Sequence, residues 1–233
     1  MDITLIMRSE DINNLKGRVA VVIDVLRATS TMVTALRNGA EAVVPFLSPE
    51  DARAFFQSHD GDYLMCGERG GVKLPGFHLG NSPLEYRRDV IAGKTLLMTT
   101  TNGTRAIRGC EAAEEVLIGS TLNAHAVAKR IKEIDKSAAL VCAGTKGNFS
   151  LDDFAAAGAI IKYLTKMCKV SLADSAQAAL LLTEQHNLRS IFNQSLHGQR
   201  LVELGFEKDV DYCSQLATMD LIAEFDGVSI HLI

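Results

Sequence analysis

Short runs of β-branched and aliphatic residues alternate along the chain with segments whose apolar positions recur at helical spacing. Strands are read at 3–7, 18–24, 41–46, 62–66, 95–98, 115–118, 138–142 and 228–232. Between them, Thr29 or Ser30 is placed to cap a helix that runs to about Asn38 and stops at Gly39. Ser48-Pro49-Glu50-Asp51 offers a cap residue, a proline at the first helical position and acids in the first turn. Helical patterns follow residues 99–105 and cover 123–134 and 151–168, and the stretch from about 173 to 218 reads as wholly helical. Strands alternating with helices of this length imply βαβ units. The expected class is therefore α/β, a mainly parallel sheet with helices on both faces, plus a helical C-terminal segment. Residues 1–233 are expected to form a single domain, with about 173–218 as a helical cap or insertion.

One stretch breaks the alternation. Residues 67–81 hold five glycines and a proline and are expected to form a long irregular loop, a kind of loop that is commonly functional. Ser82-Pro83-Leu84-Glu85 closes it with the signature of a capping box.

Composition narrows the function. The hydrophobic share of 47% supports a sizeable core. The formal charge of −4, without a run of Lys and Arg, argues against a nucleic-acid surface. The longest apolar run, 19–26, is interrupted by Asp24 and too short to span a bilayer, and the first fifteen residues lack a secretory pattern. The five cysteines are scattered and never spaced C-x-x-C, which points to reduced thiols in a cytoplasmic protein.

Three places combine a strand end, small or polar residues and a helix start: 24–30, 99–105 and 143–153. In parallel α/β sheets ligands bind there, where backbone N–H groups and the helix dipole suit an anion. Hydroxyls of Thr29, Ser30, Thr100, Thr101, Thr104 and Thr145 add donors, and Arg27 and Arg105 can hold an anion bidentately. Plain capping explains any one segment alone. Three together, with Lys146 in the third, favour a site. Asp24 ends an apolar strand and, with Glu68 in the glycine-rich stretch and Asp152 and Asp153 at a helix start, could supply hard oxygens to Mg²⁺. The dinucleotide fingerprint, the P-loop, the D-x-D of haloacid-type phosphatases, C-x₅-R and H-E-x-x-H are all missing.

Taken in order, Val21-Val22-Ile23-Asp24-Val25-Leu26-Arg27-Ala28-Thr29-Ser30-Thr31, Gly67-Glu68-Arg69-Gly70-Gly71, Gly76-Phe77-His78-Leu79-Gly80-Asn81-Ser82-Pro83, Thr100-Thr101-Asn102-Gly103-Thr104 and Cys142-Ala143-Gly144-Thr145 resemble the 2-phosphosulfolactate phosphatase family. So do Phe149-Ser150-Leu151-Asp152-Asp153 and Ala156-Ala157-Gly158. The resemblance covers roughly 1–165. It implies a Mg²⁺-dependent phosphatase that converts 2-phosphosulfolactate to 3-sulfolactate and phosphate in coenzyme M biosynthesis. The family's functional positions would fall on Asp24, Arg27, Glu68, Asn81, Thr101, Asn102, Thr104, Arg105 and Asp153. Combined with the chemistry of the residues, the expected catalytic set is Asp24, Arg27, Arg105 and Asp153, and the expected metal ligands are Asp24, Glu68 and Asp152. Substrate contacts would come from Thr29, Ser30, Arg69, Asn81, Ser82, Thr100, Thr101, Asn102, Gly103, Thr104, Gly144 and Thr145. Two positions depart from the pattern: His78 stands where Asp is expected and Asp152 where Glu is expected. His78 is expected to alter a metal or substrate contact. The expected partner is a small anionic phosphoester, with neither nucleic acid nor membrane, and a homodimer stays open. A phosphatase for another small phosphorylated acid and a non-catalytic phosphometabolite-binding module are the alternatives.

Overall fold

The computed structural model describes residues 1–233. Its elements in chain order are Asp2–Ile6 (β1), Val19–Ile23 (β2), Ala28–Arg37 (α1), Ala42–Pro45 (β3), Pro49–Ser58 (α2), Tyr63–Arg69 (β4), Val72–Lys73 (β5), Arg88–Ile91 (α3), Thr95–Thr99 (β6), Gly103–Gly109 (α4), Glu115–Gly119 (β7), Ala124–Ile134 (α5), Ala138–Cys142 (β8), Leu151–Met167 (α6), Ser171–Leu172 (β9), Asp174–Gln185 (α7), Leu188–Gln194 (α8), Leu196–Glu203 (α9), Glu207–Cys213 (α10), Ala223–Phe225 (β10) and Ile230–Leu232 (β11).

All strands join one sheet in the order β5-β4-β6-β3-β11-β10-β7-β2-β8-β1-β9. Two parallel blocks, β4-β6-β3 and β7-β2-β8-β1-β9, are the bulk of it. The antiparallel hairpin β10-β11 joins them through single pairs, Glu224 to Leu117 and Ile230 to Val43. β2 and β8 are buried along their whole length and read as continuous apolar runs, as central parallel strands do. The class is α/β as expected, with a mixed, mostly parallel sheet.

Each helix sits where its apolar face finds a partner. Nine of the ten residues of α1 are buried, because α1 lies in a core shared with both parallel blocks and α4. α5, α6 and α7 pack on the opposite face of β1, β2 and β8. Residues of the 173–218 stretch, including Ala179, Phe192, Leu201 and Val210, belong to that same core. The stretch is helical in four pieces, ending at Cys213.

Several local expectations are corrected. Residues 67–81 are not one long loop. β4 runs on to Arg69 and turns through Gly70 and Gly71 (φ +62° and +88°) into β5, so Glu68 pairs with Lys73 and Arg69 with Val72. Two consecutive left-handed residues give the tight hairpin turn whose twist matches the strands, and glycine adopts it without strain. Ser48 caps α2 by accepting from the Asp51 N–H at 3.1 Å, as expected. Thr29 and Ser30 do not cap α1, whose N-cap is Arg27. Glu85 closes no capping box. It accepts from Gly80 N–H at 2.7 Å, beside a 3-10 turn at Pro83–Glu85. The hairpin strand β10, turned by Asp226 accepting from Val228 and Ser229 N–H, is an addition to the expected strands.

No helix is long and apolar enough to cross a membrane. All five cysteines are unpaired, and four are buried.

Candidate active site

The chain leaves β2 at Ile23 and turns at once into α1, which puts Asp24 and Arg27 at the carboxyl end of a central strand. The turns after β4, β6 and β8 converge on the same place. Together they line a cleft of about 260 Å³ with Asp24, Arg27, Glu68, Asn81, Thr101 and Asn102 on one side. Thr145 and Lys146 contribute from the turn after β8, and Gly70 and Gly71 from the β4–β5 hairpin. The fourth wall is α9, through Leu196, His197, Arg200 and Leu201, followed by Leu204. The three turns singled out in the sequence therefore meet, with the glycine hairpin beside them.

Asp24 is 6% exposed. Burial first, then the charges of Glu68 and Asp152, push its carboxyl up to about 8, against the pull of the Ala28 and Gly103 N–H groups. A Cβ at Gly103 would lie 2.8 Å from Asp24 Oδ2, so only glycine lets the start of α4 approach this carboxylate so closely. Glu68 is held by its neighbours. Its Oε1 accepts from the N–H and hydroxyl of Thr101 at 2.8 and 2.9 Å, and its Oε2 accepts from Gly71 N–H at 2.8 Å.

Arg27 is 2% exposed, yet fully partnered on two sides. Nη1 donates to Asp209 Oδ2 at 2.7 Å, Nη2 to the Gly71 carbonyl at 2.6 Å, and the guanidinium lies 4.2 Å from the Phe206 ring centre. Asp209 Oδ1 in turn accepts from the Ser82 hydroxyl at 2.7 Å. Ser82 is thus a brace for Asp209 and does not line the cleft.

Other expected site residues are also placed away from the cleft surface, each for a visible reason. Asp153 bridges two loops: Oδ1 accepts from Val25 N–H at 2.9 Å and Oδ2 from Gly144 N–H at 3.1 Å. Burial, then the charges of Asp152 and Asp24, hold its carboxyl well above the usual carboxylate range. Thr29 Oγ1 accepts from Asp24 N–H, and Ser30 donates to the Val25 carbonyl, so both hydroxyls fasten the loop that carries Asp24. Thr100 Oγ1 accepts from Thr104 N–H, and Thr104 Oγ1 donates back to the Thr100 carbonyl, so this pair fastens the start of α4. Arg69 donates to the Glu68 carbonyl and the Thr99 hydroxyl. Gly144 takes φ +73°, with Asn148 O 2.6 Å from where a Cβ would sit. Arg105 is exposed and faces an adjoining pocket.

His78 is exposed and outside the cleft. Its Nδ1 accepts from Met65 N–H at 3.0 Å, and its ring lies 5.5 Å from that of Phe56, so the departure from Asp at this position falls outside the lining of the cleft. Asp152 is 1% exposed. Its Oδ1 accepts from Ser150, while Oδ2 has no hydrogen-bond partner and lies 3.7 Å from His197 Nδ1.

Sequence reasoning did not find His197, Arg200 or Asp209. Nothing local marks them: only the docking of α9 brings His197 and Arg200 to the cleft, and only that of α10 sets Asp209 against Arg27.

For a hard divalent cation, Asp24 and Asn81 line the cleft with oxygen-bearing side chains, and Asn81 Oδ1 is buried without a partner. The charges of Glu68 and Asp152 bearing on Asp24 are a second sign that a cation fits. No three His, Cys, Asp or Glu side chains form a ligand set by themselves. Mg²⁺ suits such a donor set because it keeps waters and shares substrate oxygens.

The pattern of the family described as 2-phosphosulpholactate phosphatase matches residues 5–227. A protein of Clostridium acetobutylicum named probable 2-phosphosulfolactate phosphatase is 44% identical over 229 residues, covering 97% of each chain. One of the same name from Symbiobacterium thermophilum is 46% identical over 215 residues, covering 91% of this chain and 92% of its own. A third, from Clostridium novyi, is 41% identical and covers 97% of each chain.

Proposed function

The chain belongs to the 2-phosphosulpholactate phosphatase family, and from that membership we propose that it is a cytoplasmic enzyme that hydrolyses 2-phosphosulfolactate to 3-sulfolactate and phosphate. Mg²⁺ is its proposed cofactor, and coenzyme M biosynthesis the pathway it serves. The observation that carries the reading is the meeting of Asp24, Glu68, Asn102 and Lys146, from four different strand ends, in one cleft with Arg27.

The residues divide the work by their chemistry. Arg27, fixed by Asp209 and Gly71, brings a permanent charge to the cleft wall and needs no reorganisation as charge builds on the phosphoryl oxygens. Lys146, which has no carboxylate partner, adds positive charge around a substrate that carries phosphate, carboxylate and sulfonate. Leu201, which is buried, and the half-buried Leu204 give the α9 side an apolar wall, and a drier wall strengthens those interactions. Asp24 and Asn81 would hold Mg²⁺, which would supply Lewis-acid stabilisation of phosphoryl oxygens and a more acidic water. Asp24 is the carboxylate placed to orient the attacking water. Asp153 is left with a structural role, since both its oxygens are already engaged.

Phosphate release from purified protein tests the reading, with sulfonated and non-sulfonated phosphoesters compared with and without chelator. Release from 2-phosphosulfolactate should fall to background in chelator and return with Mg²⁺. No release from any phosphoester in the presence of Mg²⁺ would leave a non-catalytic binding module as the better account.

A further inference from the structure

The main cleft does not end at Asn102. Thr101, Asn102 and Lys146 are shared with a second pocket of about 230 Å³, which continues past them to Glu10, Arg105 and Gly147. We propose that this side arm, built on Arg105 and Lys146, is the subsite that holds the sulfonate of the substrate, one of the two anionic groups that take no part in the reaction. The proposal rests on the phosphosulfolactate reading.

The arm differs from the main cleft in its chemistry. No hydrophobic residue lines it, whereas the main cleft has four. A sulfonate is a weak base with three strongly hydrated oxygens, and leaving water costs it least where polar donors replace the hydration shell. The cations of the arm are also unspent. Arg27, Arg108 and Arg200 are each paired with a carboxylate, Asp209, Glu111 and Glu203 respectively. Arg105 and Lys146 have no such pairing. Two cations against the single carboxylate of Glu10 leave one net positive charge in the arm. That matches a sulfonate, which carries one negative charge at every pH of interest, and not a dianionic phosphate.

The backbone holds the arm in place. Lys146 sits in the left-handed region (φ +51°), in a turn closed by paired bonds between Thr145 and Asn148 at 2.9 and 3.0 Å. Its N–H donates to Asn102 Oδ1 at 3.2 Å, which ties the turn after β8 to the turn after β6. The arrangement gives Arg105 a part distinct from phosphoryl chemistry: it selects which phosphoester is seated.

The test compares kcat/KM for 2-phosphosulfolactate and 2-phospholactate, the same skeleton without the sulfonate, using Mg²⁺-loaded enzyme. Wild type should favour the sulfonated ester. Arg105→Ala and Lys146→Ala should each lower that preference by roughly 10- to 100-fold, through KM, as expected for a lost hydrogen bond to a charged group. Arg105→Lys should retain part of it. Equal loss on both esters, or a preference erased only by Arg200→Ala, would overturn the assignment. Calorimetry with 3-sulfolactate and lactate reads the subsite without turnover. Tighter sulfolactate binding that weakens in Arg105→Ala upholds it even if neither ester is hydrolysed. Indifference of the wild type to the sulfonate rejects it.

Discussion

Arg27 and Asp209 form a buried ion pair at 2.7 Å, although 182 residues of chain separate them. One lies on the turn after the central strand β2 and the other on α10, so the pair ties the C-terminal helices to the loop that carries Asp24. Through Gly71 and Ser82 it also ties in the glycine hairpin and the segment that carries Asn81.

Asp209→Ala should therefore cost stability as well as activity. It leaves a guanidinium buried without its countercharge, a change that costs about 3–5 kcal/mol. Denaturant unfolding should show that loss. A variant as stable as wild type would mean that Arg27 finds another partner, or water, in the folded protein.

Asp24→Asn should do the opposite to stability while removing activity. The amide is nearly isosteric and carries no charge to repel Glu68 and Asp152. The metal-free variant should melt higher than metal-free wild type at pH 8, while turnover falls by roughly two decades or more. Parallel kinetics and melting curves check both halves.

Stability of the metal-free protein should fall as pH rises from about 4 to about 8. The Asp24 carboxyl is lifted from its ordinary 3.8 to about 8 in the folded state, so across that window the folded protein binds more protons than the unfolded chain. The stabilisation is complete below the unfolded value and is lost as pH passes the folded one. Asp153, also raised, acts with the same sign. Mg²⁺ should counter the loss, so its effect on the melting temperature should grow with pH. Melting curves between pH 5 and 8, in chelator and in Mg²⁺, measure this, and a flat profile in chelator would contradict it.

Gly158→Ala should loosen the packing of α6 on α7. The added Cβ would lie 2.2 Å from the Ala179 carbonyl oxygen and 2.9 Å from Thr183 Cγ2, so the helices must separate. Overpacking of this kind costs about 1–3 kcal/mol. The shift of the unfolding midpoint measures it.

Much of the fold was legible because periodicity is a local property. β8 was read at its observed bounds, and α6 and α1 to within a residue or two. The β4–β5 hairpin was missed, although Gly70-Gly71 is the dipeptide that such a turn favours. The hairpin strand β10 is three residues long and pairs with β7 at one position, too little pattern to stand out.

The site was legible in part for a related reason. Asp24, Glu68, Thr101, Asn102 and Thr145 announce themselves because strand ends in parallel sheets gather on one side, and the structure brings them into one cleft. Which hydroxyls face a ligand could not be read, because a threonine or serine at a helix start serves backbone and substrate with the same atom. Thr29, Ser30, Thr100 and Thr104 all serve the backbone.

Alternating apolar pattern and turn chemistry were enough to decide the α/β class, most element bounds and the strand-end acids, since each depends on neighbours within a few residues. Tertiary structure alone decided that α9 walls the cleft, that Asp209 holds Arg27, that Asp153 is a staple between loops and that Arg105 faces a side arm. Those are relations between surfaces distant in sequence, fixed by how helices dock, and a side chain carries no local mark of the partner it will meet.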